Sequence, residues 1–201
     1  MLFGYCNFIK EVKISMNLTD QFLVAMPQYG KKDIFSHSVV YITDHAQDTG
    51  TVGVIVNKPT GTFLPEAFKY SSNIEFIAKD EALSKQQIFA GGPLGKTTGY
   101  VLNQSNIEGM GKLFELVDNK ELLFGLSLYA RVSDLFIAVG YSSWKANQLE
   151  QELANNNWLV LDAPCEEMFA IPANKRYAEA LKRLGMNDIS LLYHGESGVD
   201  Q

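Results

Sequence analysis

Cysteine is almost absent. Cys6 and Cys165 are the only two in 201 residues and stand near opposite ends of the chain. That excludes a disulfide framework and a zinc site built from closely spaced thiols, and it fits a reducing, cytoplasmic setting. Histidine is scarce as well, with three, so a catalytic imidazole must be His37, His45 or His194. No run of about 20 apolar residues occurs, so no membrane-spanning helix is expected. Basic residues are outnumbered, 17 Lys and Arg against 23 Asp and Glu, for a formal net charge of −6. Such a balance repels phosphate backbones and disfavours direct nucleic-acid binding.

What is present is the composition of an ordinary globular protein, 46% hydrophobic and 20% charged, at a length that suits one domain. The first nine residues are apolar enough to suggest a signal peptide. They lack a preceding basic residue, are interrupted by Gly4 and Asn7, and run into Lys10, Glu11 and Lys13 where a cleavage site belongs. Residues 1–15 therefore read as a leader outside the fold, with Met16 as the expected start. Residues 16–193 read as a single domain, and 194–201 as a frayed tail.

Short β-rich runs alternate with helical patterns. Phe22–Met26, Ser38–Thr43 and Thr51–Val56 have strand chemistry. The turn at Asp44–Gly50 is too short for a parallel crossover, so the second and third runs should pair antiparallel. Pro65–Tyr70 reads as a short helix. Gln87–Ala90, Gly99–Leu102, Lys112–Val117, Glu121–Phe124, Leu135–Val139 and Asn157–Leu161 read as strands, and Leu126–Arg131 as a helical turn. Helices are expected over Lys145–Asn155, capped by Ser142 or Ser143, and over Asn174–Leu184, capped by Asn174 and ended by Gly185. The result is an α+β architecture.

Several motifs mimic known chemistry. Ala90-Gly91-Gly92-Pro93-Leu94-Gly95-Lys96-Thr97 is one residue from a phosphate-binding loop. Pro93 removes an amide donor, however, and a strand follows where the helix should begin, so Gly91, Gly92 and Pro93 read as a structural turn. Gly140-Tyr141-Ser142-Ser143-Trp144 mimics a nucleophile elbow with Ser142 in the nucleophile slot, but Trp144 occupies the place of a required small residue. Gly140 then reads as a turn and the serines as caps. Asp44, His45 and Asp48 could ligate a metal, but turn preferences explain the same letters, and no metal or cofactor is expected. Trp144, Gln148 and Glu152 form an i, i+4, i+8 stripe off the face carrying Ala146, Leu149 and Leu153. It reads either as a ligand or partner site or, more commonly, as a polar face with Trp144 packed on a neighbouring strand.

Five blocks in order resemble the YqgE/AlgH family of bacterial proteins: Asn17-Leu18 with Phe22–Pro27, Phe35-x-x-Ser38-Val39-Val40-Tyr41-Ile42-x-x-His45, Gly53-x-x-Val56-Asn57-Lys58-Pro59, Gly91-Gly92-Pro93, and Gly140-Tyr141-x-x-Trp144-x-x-x-Gln148-Leu149-Glu150-x-Glu152-Leu153 with Trp158. The chain departs from the family pattern at His37, where Arg is usual, and at Ser142, where a small residue such as Ala is usual. The resemblance implies a mixed, largely antiparallel, bifurcated sheet curled into a pseudo-barrel with flanking helices. It implies no defined reaction. The AlgH name comes from a proposed role in transcriptional regulation of alginate production, although the chain has no helix-turn-helix pattern.

The leading expectation is a regulator acting indirectly, through a small ligand or a protein partner. His45, Asn57, Lys58, Trp144, Gln148 and Glu152 are the candidate binding residues. Lys58 would supply a cation, Asn57 and Gln148 paired donors and acceptors, Glu152 a carboxylate and Trp144 a stacking face. Two alternatives are an enzyme acting on a small polar or anionic substrate and a direct DNA-binding regulator, the latter disfavoured by charge.

Overall fold

The computed structural model describes residues 17–29, 34–67, 81–103, 114–118 and 135–186. The expected leader and tail lie outside these residues, as do the strand over Glu121–Phe124 and the helical turn at Leu126–Arg131. In chain order the elements are β1 (Phe22–Ala25), β2 (Val39–Ala46), β3 (Gly50–Ile55), β4 (Pro59–Phe63), α1 (Leu64–Ala67), α2 (Glu81–Ser84), β5 (Gln87–Ala90), β6 (Leu94–Asn103), β7 (Phe114–Asp118), β8 (Leu135–Trp144), α3 (Gln148–Ala154), β9 (Trp158–Leu161), α4 (Cys165–Ala170) and α5 (Ala173–Arg183).

The strands form one mixed sheet in the order β4-β5-β8-β3-β2-β1-β9, with β6 also paired to β8 and β7 to β6. It curls into a half-barrel, an α+β fold with a few helices. β2 and β3 pair antiparallel, as the short turn between them requires. The pairing of β5 with β8 is parallel. β8 is the fork in the sheet. Its first part lies between β5 and β6, while Ser142–Trp144 pairs with β3.

At the fork the backbones cross so closely that side chains do not fit. A Cβ on Gly91 would meet the carbonyl oxygen of Gly140, and one on Gly92 the carbonyl group of Tyr141. Gly140 itself has φ +80, a conformation that costs any other residue. The glycines read as turn formers act here as a close-packing point between strands.

Period-2 alternation divides the central strands between two cores. Phe22, Val24, Val39, Tyr41 and Val54 pack with Met168, Phe169, Tyr177 and Leu181 of α4 and α5. Leu23, Val40, Ile42 and Ile55 pack with Trp144, Leu149 and Trp158 on the other face. α5 ends in a Schellman motif: Met186 N donates to Leu181 O at 2.9 Å and Gly185 N to Lys182 O at 3.0 Å, with Gly185 at φ +80.

Two sequence expectations about helix starts are corrected. Ser142 and Ser143 cap nothing, because β8 continues through them to Trp144 and pairs with Gly53 and Val52. The ladder bonds outweigh a cap, and α3 starts later, behind Asn147 at φ 60, with no side-chain cap. Asn174 is not the cap of α5 either. Pro172 precedes the helix, and its carbonyl receives Lys175 N at 2.8 Å. The segment starting at Thr97 continues a strand, β6, as expected, where a phosphate loop needs a helix.

Candidate functional site

Four of the six residues flagged in the sequence, His45, Trp144, Gln148 and Glu152, lie on or against α3, whereas Asn57 and Lys58 lie at another turn. Gln148 and Glu152 stand one turn apart on it, and Gln148 Nε2 donates to Glu152 Oε1 at 2.9 Å. The other carboxylate oxygen, Oε2, accepts from Trp144 Nε1 at 3.0 Å, Trp158 Nε1 at 2.7 Å and the Tyr29 hydroxyl at 3.2 Å. Trp144 comes from the end of β8, Trp158 from the start of β9, and Tyr29 from the turn after β1. One carboxylate thus ties the helix to three parts of the sheet layer.

The rings around it meet mostly edge to face. Trp144 and Trp158 have centroids 5.9 Å apart at 82°, Phe35 and Trp158 5.5 Å at 84°, and Tyr29 and Trp158 5.1 Å at 67°. Ring quadrupoles favour such pairs. Of the two readings of Trp144, a stacking face off the core and a ring packed against the sheet, the structure agrees with the second. Trp144 lies on β8 and not on the helix, is 4% exposed, and belongs to the core beneath α3.

His45 reaches the same helix by another route. A bulge between Ile42 and Asp44 shifts the register, so that Asp44 faces Val52 and His45 faces Thr51. The extra residue reverses side-chain parity and turns His45, instead of Asp44, towards α3. Its Nδ1 lies 2.7 Å from Thr51 Oγ1, and its Nε2 lies 3.6 Å from Glu150 Oε1. Asp44 is exposed, so the Asp44–His45–Asp48 segment does not converge. Among the described residues no group of three or more His, Cys, Asp or Glu is placed to hold a metal ion.

Asn57 and Lys58 fasten the turn over residues 34–38. Asn57 Nδ2 donates to His37 O at 2.8 Å, and its Oδ1 accepts from Val39 N at 2.8 Å. Lys58 Nζ donates to Ser36 O. The neighbouring Phe35 packs on both tryptophans. Trp144, Gln148 and Glu152 therefore share one hydrogen-bonded set. Among the described residues, His45 approaches this set through α3, and Asn57 with Lys58 through the turn that carries Phe35.

A family model described as AlgH-like matches residues 22–188. The chain belongs to the AlgH-like family. Curated relatives include a UPF0301 protein of Neisseria meningitidis, 36% identical over 190 residues that cover 91% of this chain and 99% of that one. Another, from Serratia proteamaculans, is 34% identical over 186 residues, covering 89% and 98%. The solution structure of AlgH from Pseudomonas aeruginosa superposes with a TM-score of 0.66 at 27% identity, covering 92% of this chain and 97% of that one. A Corynebacterium diphtheriae protein shares the fold, with a TM-score of 0.57 at 19% identity.

Within this AlgH-like fold the sequence reading missed Tyr29 and Phe35 as members of the aromatic set, and Trp158 as a partner of Glu152. The available signal was tryptophan's rarity. The chain has two, and Glu152 lies between them.

The reading also missed a second buried polar group, on the opposite core. Arg176 of α5 is 4% exposed. Its Nε donates to Met168 O at 2.9 Å, its Nη2 to Phe169 O at 3.1 Å and Ile171 O at 2.8 Å, and its Nη1 to Val56 O. It satisfies carbonyls at the C-terminal end of α4, where a cation suits the helix dipole. Burial lowers its pKa to about 10, with Cys165 opposing the shift, so it stays charged at neutral pH. Nearby, burial raises the Tyr41 phenol well above its ordinary value, aided by its 2.5 Å hydrogen bond to Asp20 Oδ1.

Proposed function

We propose that this AlgH-like protein is a cytoplasmic regulator that acts through a small ligand or a protein partner, without catalysing a reaction and without reading DNA directly. The observation that carries this reading is the state of Glu152. Four donors from its own chain bond to this carboxylate, three at Oε2 and one at Oε1. A group so engaged is poorly suited to accept a substrate proton and well suited to hold a surface in shape. Asn57 is similar, with both ends of its amide bonded to backbone. The net charge of −6 supports a partner other than a polyphosphate chain.

The test passes the purified chain over duplex DNA at low salt and, in parallel, analyses it by native mass spectrometry as isolated from cells. The expected result is passage without retention, and a bound small molecule or protein in the native spectrum. Retention that weakens steeply as salt rises would overturn the proposal, because it is the signature of phosphate contacts.

A further inference from the structure

The Glu152 carboxylate sits among its donors as a ligand sits in a receptor. Three of the four donors belong to the sheet side: the indole N–H groups of Trp144 and Trp158 and the Tyr29 hydroxyl, all directed at one oxygen. None of the four is a cation. Neutral donors framed by aromatic rings suit a singly charged carboxylate better than a phosphate, whose greater charge calls for Arg or Lys.

The element that fills this receptor is weakly anchored. α3 has seven residues, fewer than the roughly 12–15 an isolated helix needs in water. It has no side-chain cap at its start. Asn147 before it and Asn156 after it both take left-handed conformations, at φ 60 and φ 55. Leu149 is its one fully buried residue, with Leu153 half-buried. Its remaining hold is polar, mainly through Glu152 and, 3.6 Å away, through the approach of Glu150 to His45.

We infer that Trp144, Trp158 and Tyr29 form a carboxylate-binding site that the chain keeps filled with its own Glu152, and that a carboxylate ligand takes this site when α3 lifts from the sheet. The inference rests on the ligand-binding reading above and names the ligand's chemistry. The donors recognise a carboxylate whether it belongs to a small acid or to an acidic side chain of a peptide. Glu152 then acts as an internal competitor, present at the high effective concentration of a tethered group.

The experiment has two arms. In the first, native-state hydrogen exchange of the wild-type chain compares the two indole N–H groups and the α3 amides with the amides of β1 and β2. The expected result is that the indoles and α3 exchange together through an opening at least about tenfold more populated than the one that frees β1 and β2. Exchange of all these groups only through global unfolding would overturn the inference.

In the second arm, Glu152→Ala is titrated with sodium acetate and separately with N-acetylglutamyl amide, with sodium chloride as control, following the two indole resonances by NMR. Both should move saturably, at concentrations at least about tenfold below any needed for wild type, whose own carboxylate competes. A response to both probes identifies a small acid as a sufficient ligand, and a response to the capped glutamate alone identifies an acidic peptide. No response to either overturns the inference, and the wild-type exchange arm keeps it testable if Glu152→Ala does not fold. DNA retention would remove the regulator reading while leaving these titrations intact. Silent titrations without DNA retention would remove the carboxylate site alone.

Discussion

Trp158 Nε1 donates to Glu152 Oε2 at 2.7 Å, across the gap between the first residue of β9 and the middle of α3. Because Trp144 and Tyr29 share the same oxygen, the side chain at 152 sets the state of three donors at once. Glu152→Ala should cost about 2–5 kcal/mol, since it leaves two nearly buried indole N–H groups without an acceptor. Glu152→Gln should cost less, about 1–3 kcal/mol, because its amide oxygen still faces the indoles, although Gln148 can accept from its nitrogen only by giving up its bond from Lys145 N. Denaturant unfolding checks the order. Equal losses would mean that packing, and not hydrogen bonding, holds this joint.

Thr51 should matter more than its type suggests. Its hydroxyl lies 2.7 Å from His45 Nδ1, and both side chains are buried. Thr51→Val keeps the shape and removes the partner, leaving a buried ring nitrogen unsatisfied at a cost of about 1–3 kcal/mol. Thr51→Ser should restore most of the loss. Equilibrium unfolding of both variants decides the matter, and equal stability of the Val and Ser variants would refute the role given to the hydroxyl.

How much of this was legible in the sequence depends on the range of the interaction. β2 and β3 could be paired because their connection is short, but the two faces of β1–β3 could not be told apart, because both are buried and apolar. The spacing of Trp144, Gln148 and Glu152 led to a true association for a wrong reason. A single helical stripe was expected, whereas Trp144 reaches Glu152 from the end of a strand. His45 could not be placed, since its direction depends on a bulge that no local pattern announces. α4 was invisible for a different reason. Its six residues, set between Pro164 and Pro172, are too few to show a helical period, and what holds them is Arg176, contributed by α5.

Substitutions at two glycines should separate close approach from backbone conformation. Gly92→Ala forces a Cβ from the link between β5 and β6 into the Tyr141 backbone at the fork of the sheet, where β8 cannot yield without losing its ladder. A loss of about 3 kcal/mol or more, or no folded protein, is expected. Gly61→Ala meets none of the described residues within 4 Å but sits at φ +81, so the left-handed conformation is what is penalised, by about 1–2 kcal/mol. Thermal melts of the pair test the distinction. Comparable melting temperatures would show that the fork tolerates movement.

Arg176→Lys should be nearly as damaging as Arg176→Met. The guanidinium serves four carbonyls from three directions and lies 5.1 Å from the centre of the Phe169 ring. An ammonium group has three donors and no planar fork. Either change strands buried carbonyls at the end of α4, at about 3 kcal/mol or more. Amide exchange in α4 and the start of α5 should accelerate before that in β8. Full protection of α4 in the Lys variant would show that charge alone suffices.

Alkaline unfolding should report the buried phenols. Burial, with Tyr141 nearby, raises the Tyr100 pKa from 10.0 to about 12. Above pH 10 the unfolded chain releases this proton while the folded chain retains it, so the contribution to stability is complete below pH 10 and is lost as pH rises towards 12. Tyr41 acts in the same direction. Arg176, lowered to about 10, acts in the opposite direction over the same range, so the wild-type profile is a sum of terms of different sign. Tyr100→Phe isolates one of them. It should lose stability less steeply than wild type between pH 10 and 12, with the gap growing to about 2 kcal/mol at the upper end. Urea unfolding at half-unit intervals of pH measures that gap, and parallel profiles would mean that the Tyr100 hydroxyl reaches water in the folded protein.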